Sequence, residues 1–294
     1  MAIPYEFHYE KPLTLQAALE LLDKHGENSR LLAGGTDVAN EIRMGFRVPG
    51  LLIDIKGLEE LKAIRVTDGT LHIGALVSFD AIRASMPIRD HCHILYEAAG
   101  LVASPGVRNR ATMVGNICSA VACMDSAAPL LVHDALVHCR SLGGERVVPV
   151  AKWFVDNRKT CIGGRELVTH VSIPLQEVKC AGAYQKMMRY TGEDLAAANV
   201  GVLRFADGRC HVAFGSVGPI PKRSPRLEKH FLEHGVNPES IVRAREMLEK
   251  LIKPISDVRA SKEYRMHMAG VMLERALIAA GERLKMPRVI AGKE

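Results

Sequence analysis

Arg30-Leu31-Leu32-Ala33-Gly34-Gly35-Thr36-Asp37 is the stretch on which the reading of this chain turns. Apolar residues run into two adjacent glycines, then a hydroxyl and a carboxylate, then the mixed run Val38 to Met44. The pattern predicts a strand, a tight turn and a helix N-terminus. Gly34 and Gly35 lack a Cβ and accept positive φ, so a ligand can lie against the backbone there. Thr36 or Asp37 is placed to cap the helix, and the first free N–H groups suit an anionic oxygen. An ordinary Gly-Gly turn before a helix fits the same residues, because a glycine pair is far less specific than a full dinucleotide fingerprint.

The rest of the chain sets bounds on what that turn serves. With 294 residues there is room for two or three domains. A hydrophobic share of 48% with 24% charged residues is that of an ordinary globular protein. The net charge of +6 comes from scattered Lys and Arg, and aromatics make up only 5%, so no basic stripe with stacking rings favours nucleic acid. The N-terminus shows no basic region followed by an apolar core, and no apolar run approaches a membrane span. Seven widely spaced cysteines, an odd number, then read as reduced thiols of a cytoplasmic protein.

Working outward, a helix is expected over Leu15 to Leu22 with Gly26 as its stop, and Leu51 to Ile55 is a short buried strand. Leu61 to Leu76 reads as a hairpin, with Ile64 and Val66 before Asp68-Gly69 and Leu71 and Ile73 after it. Helices follow from Ser78 to Met86 and from Ile94 to Val102; Ser104 to Asn116 carries the turn residues of a loop. Asp125-Ser126-Ala127 opens another helix, Gly143-Gly144 turns a second hairpin, and Leu167 to Ile173 is a strand ended by Pro174. Beyond it three strands (181–189, 197–205, 209–217) precede three helices, the last amphipathic from Ser261 to about Leu284. Strands followed by helices indicate a compact α+β unit.

Four segments in this order resemble one family. They are Leu31 to Asp37; Arg108-Asn109-Arg110-Ala111-Thr112-Met113-Val114-Gly115-Asn116-Ile117-Cys118; Asp125-Ser126-Ala127; and Gly192-Glu193-Asp194-Leu195-Ala196. Together they are similar to the FAD-binding medium subunit of the molybdenum hydroxylases, as in relatives of xanthine dehydrogenase and carbon monoxide dehydrogenase, along nearly the whole chain. The resemblance implies an α+β fold. A vanillyl-alcohol-oxidase-type FAD domain of two α+β subdomains (residues 1–176) would precede a C-terminal domain (177–294) with a three-stranded antiparallel sheet backed by helices.

It also implies roles. Arg30, Leu31, Leu32, Ala33, Gly34, Gly35, Thr36 and Asp37 would form the first glycine segment over the FAD pyrophosphate. Thr112, Val114, Gly115 and Asn116 would form the second, with the Thr112 hydroxyl an added ligand. Convergent amide dipoles on a close backbone are what a diphosphate needs. Asp125 matches a carboxylate that takes hydrogen bonds from the flavin chain, Leu167 an apolar residue packed on the cofactor, and Lys186 a basic residue near the isoalloxazine. Val114 departs from the family pattern, which has glycine there. A branched Cβ disfavours positive φ, so the expectation is an ordinary β conformation at that position, the alternative being weakened FAD binding.

The remaining chemistry-bearing residues carry simpler readings. Arg108 and Arg110 face either the pyrophosphate, a partner or solvent. Cys118 and Cys123 lack the close spacing of a cluster site, and no His-x-x-x-His pair suggests zinc. Arg189, Tyr190 and Asp194 lie in a loop that in NAD-reducing relatives shapes access to the flavin. The function implied is an electron-transfer flavoprotein subunit that takes electrons from [2Fe–2S] clusters and passes them through FAD to an acceptor such as NAD. The molybdopterin and the clusters would sit on partner chains. No acid–base catalyst is then required of this one. A self-contained flavin oxidoreductase and a flavin-free assembly subunit are the alternatives. Substrate, acceptor and stoichiometry are not legible.

Overall fold

The computed structural model describes residues 3–190 and 192–286. It begins with β1 (His8–Glu10), α1 (Leu15–His25), β2 (Ser29–Leu32), α2 (Val38–Arg43) and β3 (Leu51–Asp54). The central strand β3 pairs parallel with β1 and β2. All four of its residues are buried, as in a strand covered on both faces. Thr14 caps α1 by accepting from Ala17 N–H, and the helix lays Leu15, Ala18, Leu19 and Leu22 into the core.

A second sheet follows. β4 (Ile64–Thr67) and β5 (Thr70–Gly74) form the expected hairpin, with Asp68 and Gly69 both at positive φ as a tight two-residue turn requires. The helix expected from Ser78 is divided into α3 (Phe79–Ala84) and α4 (Met86–His91). Ser85 ends the first in an extended conformation and caps the second by accepting from Ile88 N–H. Next come α5 (His93–Gly100), α6 (Pro105–Arg108), α7 (Met113–Ser119) and α8 (Ala127–Val132). The run from Ser104 to Asn116 is therefore not a plain loop: it holds all of α6 and the first turn of α7. Then come β6 (Leu136–Ser141), β7 (Gly144–Pro149), a small hairpin of β8 (Phe154–Asp156) and β9 (Lys159–Thr160), and β10 (Leu167–Pro174). The five strands order as β4-β5-β10-β6-β7, all antiparallel.

The chain then crosses into an antiparallel sheet of β11 (Cys180–Met187), β12 (Ala198–Phe205), β13 (Cys210–Gly215) and the two-residue edge strand β14 (Lys222–Arg223). Three of these strands are the expected ones; β14 is too short for a periodic signal. Helices α9 (Pro225–His234), α10 (Pro238–Leu251) and α11 (Lys262–Lys285) complete the unit, and a core built on Val200, Val202, Phe231, Leu273 and Leu277 lies between helices and sheet. The opposite face joins the larger N-terminal core, which takes in Tyr184, Leu203 and Phe205. Gly201 suits that contact, since a Cβ there would lie a tight 3.2 Å from Ala128 of α8. The α+β architecture is as expected, with β11 and Asp125 meeting where the two cores join.

Candidate functional site

The glycine turn leaves the end of β2, where Leu31 and Leu32 are in register with Ile53 and Asp54. Gly35 has φ +78°. Gly34 is a close-approach glycine: a Cβ there would lie 2.0 Å from the Arg110 carbonyl oxygen. The partner in that approach is the backbone just before Thr112, so the two small-residue segments meet. Arg30 stays within β2 and pairs with Glu41 of α2 at 3.1 Å. Neither Thr36 nor Asp37 caps α2 through its side chain. The Thr36 carbonyl instead accepts from Asn40 Nδ2, and the Asp37 carboxylate accepts from the Ser119 hydroxyl at the end of α7. The start of α2 is thus tied to α7 rather than closed by its own side-chain cap, and in its first turn the Ala39 N–H donates to Gly35 O at 3.0 Å.

Thr112 is a true N-cap: its backbone is extended and its hydroxyl accepts from Gly115 N–H at 3.0 Å. A Cβ on Gly115 would sit 2.8 Å from that hydroxyl, so the tight cap explains the glycine. Ala111 and Met113 anchor the segment to the start of α3 and the chain before it, through Phe79 N–H to Ala111 O and Met113 N–H to Val77 O. The expectation for Val114 is corrected. It is not in a β conformation but in the first turn of α7, with its side chain in the core at 4% exposed. A helical residue has negative φ whatever its side chain, so no glycine is needed there. Asn116 turns its side-chain oxygen to the Ser126 hydroxyl at 2.7 Å, linking α7 to α8.

Asp125 and Lys186, 61 residues apart, are brought together. Lys186 Nζ donates to Asp125 Oδ2 and to the Leu101 carbonyl, both at 2.8 Å. The Lys186 side chain is 1% exposed and that of Asp125 8%. Sequence reasoning missed the third member, Tyr184, whose hydroxyl donates to Asp125 Oδ1 at 2.7 Å. Tyr184 and Lys186 lie two residues apart on β11 and so project from one face. Burial pushes the Asp125 carboxyl above the usual carboxylate range, opposed by the Lys186 charge and by the hydrogen bonds from Lys186 and Tyr184. Burial also raises the Tyr184 phenol well above its ordinary value, with Asp125 adding to the effect. The Tyr184 N–H donates to Glu97 of α5 at 3.0 Å, and Glu97 also accepts from Arg283 of α11.

Other candidates fall elsewhere. Leu167 is fully buried at the head of β10, packed inside the N-terminal core. Arg108 donates to Val102 O and Ala103 O, bracing the end of α5, while Arg110 is exposed and contributes its carbonyl to the Gly34 contact. In the 188–195 loop Arg189 donates to Asp194 and lies over the Tyr190 ring, and Thr191 lies outside the described residues. Burial holds the Cys118 thiol up at about 12. Among the described residues no group of three His, Cys, Asp or Glu is placed to hold a metal ion.

Two family profiles divide this chain. One described as the FAD binding domain in molybdopterin dehydrogenase matches residues 5–176, and one described as the CO dehydrogenase flavoprotein C-terminal domain matches residues 182–280. The carbon monoxide dehydrogenase medium chain of Hydrogenophaga pseudoflava is 30% identical over 96% of this chain and 99% of its own. A putative xanthine dehydrogenase FAD-binding subunit of Escherichia coli is 30% identical over 94% of this chain and 98% of its own. Among solved structures, carbon monoxide dehydrogenase from H. pseudoflava, in a form lacking the Mo-pyranopterin moiety, superposes with a TM-score of 0.91 at 31% identity. That match covers 96% of this chain and 99% of the solved one.

Proposed function

The chain belongs to the family of FAD-binding medium subunits of molybdenum hydroxylase complexes, and from that membership we propose that it carries electrons from [2Fe–2S] clusters on a partner subunit, through FAD, to an acceptor such as NAD. Its relatives are dehydrogenase subunits that act within complexes, and the chain is an oxidoreductase subunit of that kind. The reading adds a molybdenum-cofactor subunit and an iron–sulfur subunit as partners, the cytoplasm as location, and a division of the chain at residues 176/177. Among the described residues no helix is long and apolar enough to cross a membrane.

The observation that carries the cofactor assignment is the meeting of the Gly34-Gly35 turn with the backbone before Thr112. A Cβ on Gly34 would close this approach, and the residues fit a diphosphate by their donor chemistry. The backbone N–H groups at the starts of α2 and α7 that are not already bonded among the described residues, those of Val38 and Asn40 and that of Val114, would be directed at phosphate oxygens. On this reading Arg30 to Asp37 and Thr112 to Asn116 hold the pyrophosphate. Asp125 accepts from hydroxyls of the flavin chain, Lys186 offers a positive charge near the ring system, and Leu167 supports the pocket from the core. FAD supplies the step between two-electron and one-electron carriers; the protein binds it, orients it and sets the charge around it.

The test is the visible spectrum of the purified chain, followed by chromatography of what acid releases, with NADH then added to the sample. Flavin bands, released FAD and bleaching by NADH are expected. A chain that stays colourless after incubation with FAD, both alone and with its co-purified subunits, would overturn the reading.

A further inference from the structure

Tyr184 belongs to the same constellation as Asp125 and Lys186, though the sequence pattern does not single it out. We propose that Tyr184 is a positioning residue of the cofactor site, fixing the orientation and ionisation of the Asp125 carboxylate so that it accepts from hydroxyls of the bound FAD. The proposal rests on the FAD reading above.

The geometry argues for this in three steps. First, the two Asp125 oxygens are held from different directions, Oδ1 by the Tyr184 hydroxyl at 2.7 Å and Oδ2 by Lys186 Nζ at 2.8 Å. A carboxylate oxygen has room for about two hydrogen bonds, so each oxygen keeps acceptor capacity for a ligand hydroxyl. Second, the phenol is itself pinned. Tyr184 is 4% exposed, its N–H is held by Glu97, and Arg283 ties Glu97 to α11 while donating to Gly182 O at 2.6 Å. The edge strand β11 is thereby fastened to α5, and Leu101 O takes a second hydrogen bond from Lys186. Third, the site is buried, with the Lys186 and Asp125 side chains 1% and 8% exposed, so an acceptor stripped of its donor carries a desolvation cost.

The groups facing Asp125 are Lys186 and Tyr184 from β11 and Cys123 from its own loop. Removing the hydroxyl leaves Lys186 as the one donor named above and lets burial raise the carboxyl further. Protonation, made easier by this, turns an acceptor into a partial donor and leaves Lys186 beside a neutral partner.

The experiment measures FAD binding to the deflavinated full chain by quenching of flavin fluorescence between pH 5.5 and 8, for the wild type and for Tyr184→Phe. The expected result is a wild-type dissociation constant that rises less on acidification than the variant's. The variant should bind about tenfold more weakly and lose further affinity as the pH falls. Asp125→Asn combined with Tyr184→Phe should lose no more than Asp125→Asn alone, because the tyrosine acts through the aspartate. If the phenylalanine variant melts early, 3-fluorotyrosine incorporated at position 184 keeps shape and hydroxyl while making a stronger donor, and should shift the pH at which binding weakens downward. A Tyr184→Phe chain that binds FAD like the wild type across this range overturns the proposal and leaves the FAD reading intact. A wild-type chain that takes up no FAD overturns both.

Discussion

Two residues of the glycine segments show how differently the same small-residue pattern is used. Gly34 is required by protein packing as much as by a ligand, since a Cβ would lie 2.0 Å from Arg110 O, an atom of the backbone that cannot swing away. Gly34→Ala is expected to separate the two segments, costing about 3 kcal/mol of stability and abolishing FAD retention; urea unfolding and flavin content of the purified protein measure both. Val114 is the opposite case. Restoring the family glycine there, Val114→Gly, should not tighten FAD binding, because the valine lies in a helical turn with its side chain in the core. It should cost about 3 kcal/mol, from lost burial and from glycine in a helix. A gain in FAD affinity without loss of stability would show that Val114 faces the cofactor. The sequence alone could not separate these cases: it shows where glycines are, but not which atom occupies the space a Cβ would need. Asp125 and Lys186 were nameable only by resemblance, because a contact across 61 residues leaves no periodic trace. Tyr184 went unseen because an aromatic residue in a strand reads as core, which by burial it is.

Among the elements, legibility follows length and alternation. The hairpin about Asp68-Gly69, the strand Leu167–Pro174 and the helix Pro238–Leu251 were readable because apolar spacing and turn chemistry agree over enough residues. β1, three exposed residues with no buried face, and β14, two residues long, carry no pattern to read. α7 was hidden for another reason: its signal is the cap at Thr112, and Gly115 within the first turn argues against a helix on propensity. The cap can be tested directly. Thr112→Val keeps shape and burial but removes the acceptor for Gly115 N–H. It is expected to cost about 1 kcal/mol of stability. FAD affinity should fall as well, because a frayed first turn no longer holds its N–H groups in a fixed array. Hydrogen exchange at Gly115 and Asn116 would report the fraying, and unchanged protection there would count against the cap's importance.

At the scale of the whole molecule, α8 is the element on which the N-terminal core and the C-terminal sheet converge, and it ends at a histidine with an unusual burden. His133 is 2% exposed, and neither ring nitrogen has a hydrogen-bond partner among the described residues. Burial, with the nearby charge of His211, lowers its pKa from the ordinary 6.5 to about 4. In the unfolded chain the same imidazole protonates at its ordinary value, so between pH 6.5 and 4 the unfolded state binds the extra proton. Stability from this group is therefore fully present above pH 6.5 and is lost progressively as the pH falls toward 4. A shift of this size corresponds to about 3 kcal/mol across the window. His72, His138 and His170, whose rings line up across β5, β10 and β6, are shifted in the same direction, His72 by burial and the Arg65 charge and the other two by burial and neighbouring imidazoles, and add to the acid sensitivity with a discount for their partial exposure. His133→Leu isolates the buried contribution. It removes the titrating group from both states and places an apolar side chain where the ring made no hydrogen bond. The variant should match the wild type or exceed it in urea midpoint at pH 7.5, and its midpoint should fall less steeply on acidification to pH 4.5. Parallel pH profiles for the two proteins would mean that His133 is hydrated or hydrogen-bonded in solution. The joint between the two cores would then be held by packing such as that of Ala128 on Gly201, with no penalty for a buried imidazole.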